Sequence, residues 1–288
     1  MRTQSVDTHP EAERIMIELI RRAPMSKRFQ LVQSLTQSAL WASRNAWRES
    51  HSEASEQEAA VHVVSCCYGA TLARRVLEAL ERCERWHAQP IDLMAAMLPA
   101  LHAFNQLHVP SYLGGSIASS LYGMQQLAQD IDLIVDLGEP MLPALFELLQ
   151  QQYLLEEDEI WKAVRADTSF PLIHLDSLMK VDVVLPKRDA FAPSMRQLIR
   201  GYTLDERYPP FQLTSATEMI LFKLQRYQRD EQARTDGMQD DAEWNDLLGM
   251  LKVQGPDLDL ALLGEWAGKL DVIETWHQAL VDAGLQGA

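Results

Sequence analysis

The segment from Tyr112 to Val135 reads YLGGSIASSLYGMQQLAQDIDLIV and contains the strongest indications of the fold. A short apolar segment leads into the glycine pair Gly114-Gly115, and a run of small residues typical of a tightly packed helix follows. The stretch closes on residues 130–135 (DIDLIV), where polar and apolar side chains alternate as in a half-buried strand. This order of strand, glycine turn, helix and strand predicts an α/β (α+β) fold built on a small mixed β-sheet.

Two acidic residues, Asp130 and Asp132, point to the same face of the second predicted strand. Residues two apart on a strand have Cα atoms roughly 6.5 Å apart, so both carboxylates can share a hard cation such as Mg²⁺. Asp182 lies in the middle of a second apolar segment, residues 180–184 (KVDVV), where an unpaired carboxylate is costly. A metal ion would account for all three acids. The alternative is that Asp130 and Asp132 merely begin a strand and Asp182 pairs with a lysine.

The glycine turn Gly114-Gly115-Ser116 is a candidate phosphate site. Two glycines before a helix let backbone N–H groups approach phosphate oxygens closely, and the helix N-terminus favours negative charge. The Ser116 hydroxyl can donate a further hydrogen bond. Alone, the same residues are equally typical of a tight turn with a serine cap. The acid pair that begins fourteen residues after Ser116 makes a phosphate site beside a metal site the favoured interpretation.

The chain on either side of this core has the periodicity of helices. Two capping-box spacings, Thr8 with Glu11 and Ser55 with Glu58, predict helix starts in the first part of the chain. We therefore predict a helical N-terminal module (residues 1–90), a core (residues 91–205) and a helical C-terminal module (residues 206–288). Helices without chemistry-bearing residues favour a role for the N-terminal module in self-association or in binding a partner protein.

Composition restricts the function classes. The 288 residues carry a net charge of −15, and the 14 Lys and Arg after residue 90 face 30 Asp and Glu. Such an acidic surface is unsuited to an extended nucleic-acid groove. No apolar run approaches the ~20 residues that cross a bilayer. The three cysteines, Cys66, Cys67 and Cys83, lack metal-ligand spacing and indicate buried or free thiols, so we expect a cytoplasmic protein that does not insert into membranes.

Four segments resemble motifs of one known family. Residues 112–123 with the acid pair 130–132 resemble the first motif of the DNA-polymerase-β-like nucleotidyltransferase superfamily, and residues 178–183 (LMKVDV) are similar to its later strand with a third acid. Residues 217–227 (TEMILFKLQRY) and 243–255 (EWNDLLGMLKVQG) resemble helical motifs of its minimal bacterial members, which include abortive-infection and toxin–antitoxin proteins. The resemblance covers roughly residues 90–285, and four motifs in the right order are specific for a fold.

The resemblance implies an enzyme that uses two Mg²⁺ ions to transfer a nucleoside monophosphate from a nucleoside triphosphate to a hydroxyl. The acceptor would be a protein, a tRNA end or a small molecule. It further implies that Asp130 and Asp132 bind metal, and that Asp182 is the third metal-binding acid and the base. The phosphates would be held by Gly114, Gly115, Ser116 and Lys223, with Asp246 beside the lysine. Lys223 and Asp246 are equally consistent with an ordinary surface lysine and a helix-surface acid.

This sequence departs from the family pattern at two positions. Close relatives carry an arginine four residues, and a serine or threonine two residues, before the first acid; here these positions are Gln126 and Ala128. Each lost charge-assisted contact costs roughly 1.5–3 kcal/mol of ligand stabilisation. A second hypothesis is therefore a weak or inactive nucleotide-binding or partner-binding protein of a toxin–antitoxin or regulatory system. His174, on a strand next to Asp182, is a further candidate, although a lone histidine is more often structural.

Overall fold

The computed structural model describes residues 2–4, 7–82, 86–87, 89–186, 199–204, 206–208, 210–233 and 241–285. The α-helices in these ranges are α1 (Pro10–Arg22), α2 (Met25–Ser50), α3 (Glu56–Tyr68), α4 (Ala70–Glu81), α5 (Leu93–Gln106), α6 (Gly115–Tyr122), α7 (Leu142–Leu149), α8 (Glu157–Arg165), α9 (Ala216–Ala233), α10 (Asp241–Gln254), α11 (Leu260–Lys269) and α12 (Ile273–Ala283). The strands are β1 (Ser111–Leu113), β2 (Asp130–Val135), β3 (Tyr153–Leu154), β4 (Ser169–His174), β5 (Lys180–Val184), β6 (Arg200–Tyr202) and β7 (Phe211–Leu213). A mixed α/β fold with flanking helices confirms the predicted fold class.

Contacts divide the chain into two compact units. The core unit takes the described residues within 31–116 and 127–192, and the helical unit takes those within 1–30, 117–126 and 193–288. The chain passes from one unit to the other inside α2 and inside α6. The division of the sequence at residues 90 and 205 stays a prediction.

The sheet of the core unit positions the acids. Its strands follow the order β3-β4-β5-β2-β1. The central strands β2 and β5 run parallel, whereas β1 on one side and β4 on the other are antiparallel to them. Alternate residues of β2 (Ile131, Leu133 and Val135) are fully buried, which explains the alternation seen in the sequence. The other face of β2 and β5 is therefore free to carry polar side chains.

Helices from the N-terminal part of the chain pack on this sheet. Val64 of α3 and Leu80 of α4 belong to one buried cluster with Ile173 of β4 and Leu178. The capping box predicted at Ser55 and Glu58 is present and begins α3. These helices are thus part of the hydrophobic core of the core unit.

The other predicted capping box is wrong. Helix α1 begins at Pro10, and its N-cap is His9 rather than Thr8. A proline is favoured in the first helical position, because its fixed φ suits a helix and its missing N–H would have no helical partner there. Pro10 therefore sets the start of α1, and the Thr8–Glu11 spacing is coincidental.

The helical unit joins α1 to α10. Ile17 and Ile20 of α1 form a buried cluster with Val253 of α10. Beside them the side chains of Glu13 and Lys252, only 1% and 2% exposed, form an ion pair of 2.7 Å. In the same unit β6 and β7 pair antiparallel. An apolar contact and a buried ion pair thus fix the two helices together.

Two observations bear on the expected compartment. Among the described residues, no helix combines the length and apolarity needed to cross a membrane. Cys66 and Cys67 are free thiols, and Cys83 lies outside the described residues. Cytoplasmic localisation stays a prediction, as does self-association or partner binding through the N-terminal helices.

Candidate functional site

Three aspartates meet on one face of the core unit's sheet. In the parallel pair of β2 and β5, Asp132 is the direct neighbour of Asp182, and Asp130 is the direct neighbour of Lys180. Residues on adjacent strands in register share a face, as do residues two apart on one strand. The side chains of Asp130, Asp132, Asp182 and Lys180 are therefore neighbours on this face. They comprise three carboxylates and one ammonium.

The ammonium of Lys180 lies between two of the acids. Its Nζ is 2.7 Å from Oδ2 of Asp182 and 3.1 Å from Oδ2 of Asp130. Burial alone would lower the pKa of Lys180, but the hydrogen bonds and attraction of Asp182 and Asp130 outweigh it, so the pKa is raised. Lys180 therefore stays charged, and the alternative that Asp182 pairs with a lysine is present in the structure.

The glycine turn wraps around Asp132. The N–H of Gly114 donates to the backbone oxygen of Asp132 at 2.9 Å. Gly115 has φ +58°, and a Cβ added there would lie 1.6 Å from Oδ2 of Asp132. The backbone N–H of Ser116 donates to the same carboxylate. The turn predicted to hold phosphate thus lies against the acid pair predicted to hold metal.

Asp132 is the acid with the least favourable surroundings. Burial, followed by repulsion from Asp130 and Asp182, raises its pKa to about 6. The charge of Lys180 and the N–H of Ser116 offset only part of this effect. Burial and repulsion from Asp130 also raise the pKa of Asp182, despite its hydrogen bond from Lys180. The cluster therefore has more negative charge than its single ammonium balances, and a bound cation would relieve it.

The donor chemistry of the cluster suits a divalent cation. Carboxylate oxygens are the ligands that Mg²⁺ prefers, and the three acids converge as the sequence analysis expected. As the side chains stand, no group of three His, Cys, Asp or Glu among the described residues is arranged to hold a metal ion. The acids thus have the right type of ligand atom, with an ammonium between two of them.

Tyr68, at the end of α3, fixes the starts of both central strands. Its hydroxyl donates to the carbonyl oxygen of Gln129 at 2.6 Å and accepts from the N–H of Lys180 at 3.3 Å. The Lys180 Nζ lies 5.3 Å from the centre of its ring, within the range of a cation–π contact. Tyr68 thereby holds Asp130 and Lys180, the first residues of β2 and β5, side by side.

A cavity of about 540 Å³ borders the same tyrosine. Tyr68 and Met179 form one wall, and the apolar side chains of Trp41 and Trp86 line other parts of it. This volume is within the range of small-molecule sites. Tyr68 therefore separates the carboxylate cluster from a largely apolar cavity.

Lys223 and Asp246 lie together in the helical unit. Both are buried, and Nζ of Lys223 is 2.5 Å from Oδ2 of Asp246 and 3.2 Å from Oε1 of Glu243. The Oδ1 atom of Asp246 is buried without a hydrogen-bond partner. Lys223 is thus not an ordinary surface lysine. Its ammonium pairs with Asp246 and also with Glu243, an acid that was not among the residues predicted from the sequence.

The remaining candidates have structural environments. Ala128 is fully buried, and its N–H donates to the hydroxyl of Thr36 on α2 at 3.1 Å. Gln126 is exposed, and its N–H donates to the Ser120 hydroxyl. His174 is buried and its Nδ1 lies 2.9 Å from the Ser177 hydroxyl. Because Ile173 is the strand partner of Lys180, His174 points to the opposite face of the sheet from the acids.

The sequence suggested a lysine partner for Asp182 without identifying it as Lys180, and it gave no indication of Tyr68. Lys180 had a usable signal: it is two residues before Asp182 on a predicted strand, so the strand period places both side chains on one face. Tyr68 had none, because it lies 62 residues before the acid pair on a helix whose packing is not readable from local periodicity.

Comparisons with known proteins give little further information. No family model matches the chain, and no curated protein matches it. Among solved structures, the chain is similar to one described as the "crystal structure of an antigenic nucleotidyltransferase-like protein from Paracoccidioides brasiliensis". The two are 14% identical with a TM-score of 0.35, over 64% of this chain and 91% of the other.

Proposed function

We propose that this chain is a divalent-cation-dependent nucleotidyltransferase that moves a nucleoside monophosphate from a nucleoside triphosphate to a hydroxyl. The observation that carries the proposal is the convergence of Asp130, Asp132 and Asp182 beside the glycine turn at Gly115. Carboxylates in that position suit a hard cation, and N–H groups at a helix start suit phosphate. The resemblance of the sequence motifs to this superfamily supports the same function.

The chain's own residues have separate roles in this reaction. Asp130 and Asp132 would hold the cation, which, when bound, neutralises phosphate charge and lowers the pKa of the attacking hydroxyl. N–H groups of the turn 114–116 would orient the phosphates. The acceptor oxygen forms a bond to the α-phosphorus, the bond to the bridging oxygen breaks, and pyrophosphate leaves. The hydroxyl proton passes to Asp182, whose raised pKa favours accepting it.

Lys223 and Asp246 enter this proposal as a buried charged pair. The resemblance assigns Lys223 to the triphosphate, with Asp246 as its partner. The contact between the two side chains supports that partnership, and the unpartnered Oδ1 of Asp246 is available for a further donor. Replacement of Lys223 by methionine tests the role through the affinity for triphosphate.

Label transfer tests the activity. The protein is incubated with cell lysate, Mg²⁺ and each of the four α-³²P-labelled triphosphates in turn. We expect at least one of the four triphosphates to label an acceptor. The Asp130→Asn/Asp132→Asn double variant should transfer at least about 100-fold less label than wild type. Asp158→Asn, at an exposed position of α8, is the matched control. Equal labelling by wild type and double variant would exclude the proposed site.

A second candidate function is nucleotide binding without transfer, as in a regulatory or toxin–antitoxin component. The observation that favours it is the Lys180 ammonium between Asp130 and Asp182, together with the absence of a family arginine at Gln126. This alternative predicts no label with any base, but a thermal stability that rises with Mg²⁺-triphosphate, because a ligand bound to the native state stabilises it.

A further inference from the structure

One charged side chain in the carboxylate cluster has no role in the proposed reaction so far. Lys180 is half-buried, and its Nζ contacts Asp130 and Asp182 from the sheet face that all three acids share. A cation bridging these two carboxylates would have to occupy the space that the ammonium now fills.

We propose that Lys180 is a built-in cation of this site, and that the site therefore takes one divalent cation, on the Asp132 side, instead of two. This inference rests on the proposed function in one respect, since the single ion is the one that would accompany the triphosphate. It changes the expectation of two Mg²⁺ ions that the sequence resemblance implies.

The strand register and two contacts with Tyr68 fix the position of Lys180. Lys180 is the direct neighbour of Asp130 across the parallel pair, and Asp182 is two residues further along the same strand. Its backbone N–H is bound by the Tyr68 hydroxyl at 3.3 Å, and its ammonium lies over the Tyr68 ring. The lysine is thus held at both ends, by its backbone and by its charge.

The charges of the cluster balance with one ion. Three ionised carboxylates and one ammonium have a formal charge of −2, which a single divalent cation neutralises. A second ion beside the ammonium would be repelled by it, because like charges a few ångströms apart in a partly buried site disfavour each other.

The ammonium also defines which acid is left for the ion. The ammonium of Lys180 forms ion pairs with Asp130 and Asp182, whereas the Asp132 carboxylate accepts from the Ser116 N–H at the glycine turn. Asp132 is therefore the acid on the side where phosphate would approach, and Asp132 and Asp130 would hold the cation there. Lys180 acts as a positioning residue, since it restricts the ion to that side.

Counting bound Mn²⁺ tests this inference. Electron paramagnetic resonance measures free Mn²⁺ during titration of the full chain, with and without a non-hydrolysable triphosphate. We expect wild type to bind one Mn²⁺ ion. Lys180→Met should bind a second Mn²⁺ ion, and its affinity for that second ion should be at least about tenfold higher than that of wild type. Lys180→Arg, which keeps the charge, should bind one ion like wild type. Lys162→Met, at an exposed lysine of α8, is the matched control.

Thermal unfolding gives a second readout. Lys180→Met leaves three carboxylates without their ammonium, so its melting temperature should fall in metal-free buffer and recover with Mn²⁺ far more than that of wild type. If Lys180→Met does not fold, Lys180→Gln is measured in its place. Two ions on wild type, one ion on both neutral variants, or no ion on any variant would each overturn the inference. One ion on wild type without label transfer would leave it standing and reject the proposed enzyme activity.

Discussion

Gly115 is the residue on which the geometry of the turn most depends. With φ +58° and Oδ2 of Asp132 at 1.6 Å from an added Cβ, no other residue fits without movement of the acid. We expect Gly115→Ala to lower the free energy of unfolding by at least about 2 kcal/mol, from the unfavourable φ and the overlap combined. Urea unfolding measures this.

Gly138→Ala is the control for that change. Gly138 has φ −113°, and its added Cβ would be 3.6 Å from the nearest side-chain atom, in Pro140. Alanine fits there and should cost little. An equal loss of stability in both variants would show that Asp132 does not constrain position 115.

His174 predicts a pH dependence of stability. Burial lowers its pKa in the folded state from the ordinary 6.5, against a smaller opposite effect of Asp176. As the pH falls below 6.5, the unfolded state takes up this proton first, so stability falls with falling pH, by at most about 1.4 kcal/mol per pH unit for one group. Urea unfolding of wild type and of His174→Gln between pH 5 and 8 (roughly the range in which histidine titrates) isolates this slope as the difference between the two proteins, because the opposite effect of Asp132, whose pKa is raised to about 6, is common to both.

The matched change for that experiment is His174→Gln, which should reduce the slope below pH 6.5. His102→Gln, at an exposed position of α5, should leave it unchanged. Identical slopes in wild type and His174→Gln would contradict the assignment to His174.

For single residues, the sequence identifies the three aspartates but not how far neighbouring groups balance their negative charge. Asp130, Asp132 and Asp182 were identifiable because strand alternation and motif resemblance both select them. The contact of Lys180 with Asp130 and the burial of Asp132 depend on strand register, which no local pattern contains.

Among the elements, α1 and α10 are joined by the buried ion pair of Glu13 and Lys252. Removal of one partner leaves the other charge buried without compensation, so we expect Glu13→Ala to cost about 3–5 kcal/mol. The double variant Glu13→Ala/Lys252→Met should be less destabilised than the sum of Glu13→Ala and Lys252→Met, because no lone charge remains. Urea unfolding of the four proteins of this cycle measures the coupling.

Arg14→Ala is the control for the helix surface. Arg14 and Glu11 of α1 form an ion pair with both side chains 65% exposed, and such pairs contribute roughly 0–1 kcal/mol. A cost for Glu13→Ala as small as that for Arg14→Ala would show that the buried pair does not join the two helices.

Helix and strand starts show where local signals suffice. Ser55 and Glu58 begin α3 as predicted, since a capping box satisfies backbone donors using residues three apart. The same spacing at Thr8 failed because Pro10 sets the start of α1. A local motif is thus reliable only where no stronger neighbour competes.

At the level of the whole molecule, the order of elements is readable from the sequence while their grouping is not. The glycine turn and the alternation of 130–135 predicted a small mixed sheet with flanking helices, which the described residues form. The membership of α3 and α4 in the core unit could not be predicted, because it depends on a buried cluster that includes Val64 and Ile173, residues far apart in the chain.

In the proposed function, the three aspartates and the glycine turn form one cation and phosphate site. The most direct measurement is anomalous diffraction from a crystal soaked with Mn²⁺ and a non-hydrolysable triphosphate. We expect an anomalous peak at bonding distance from carboxylate oxygens of Asp130 and Asp132, with phosphate oxygens against the N–H groups of the turn at Gly115. A triphosphate bound away from this turn, or Mn²⁺ bound without contact to either aspartate, would contradict it.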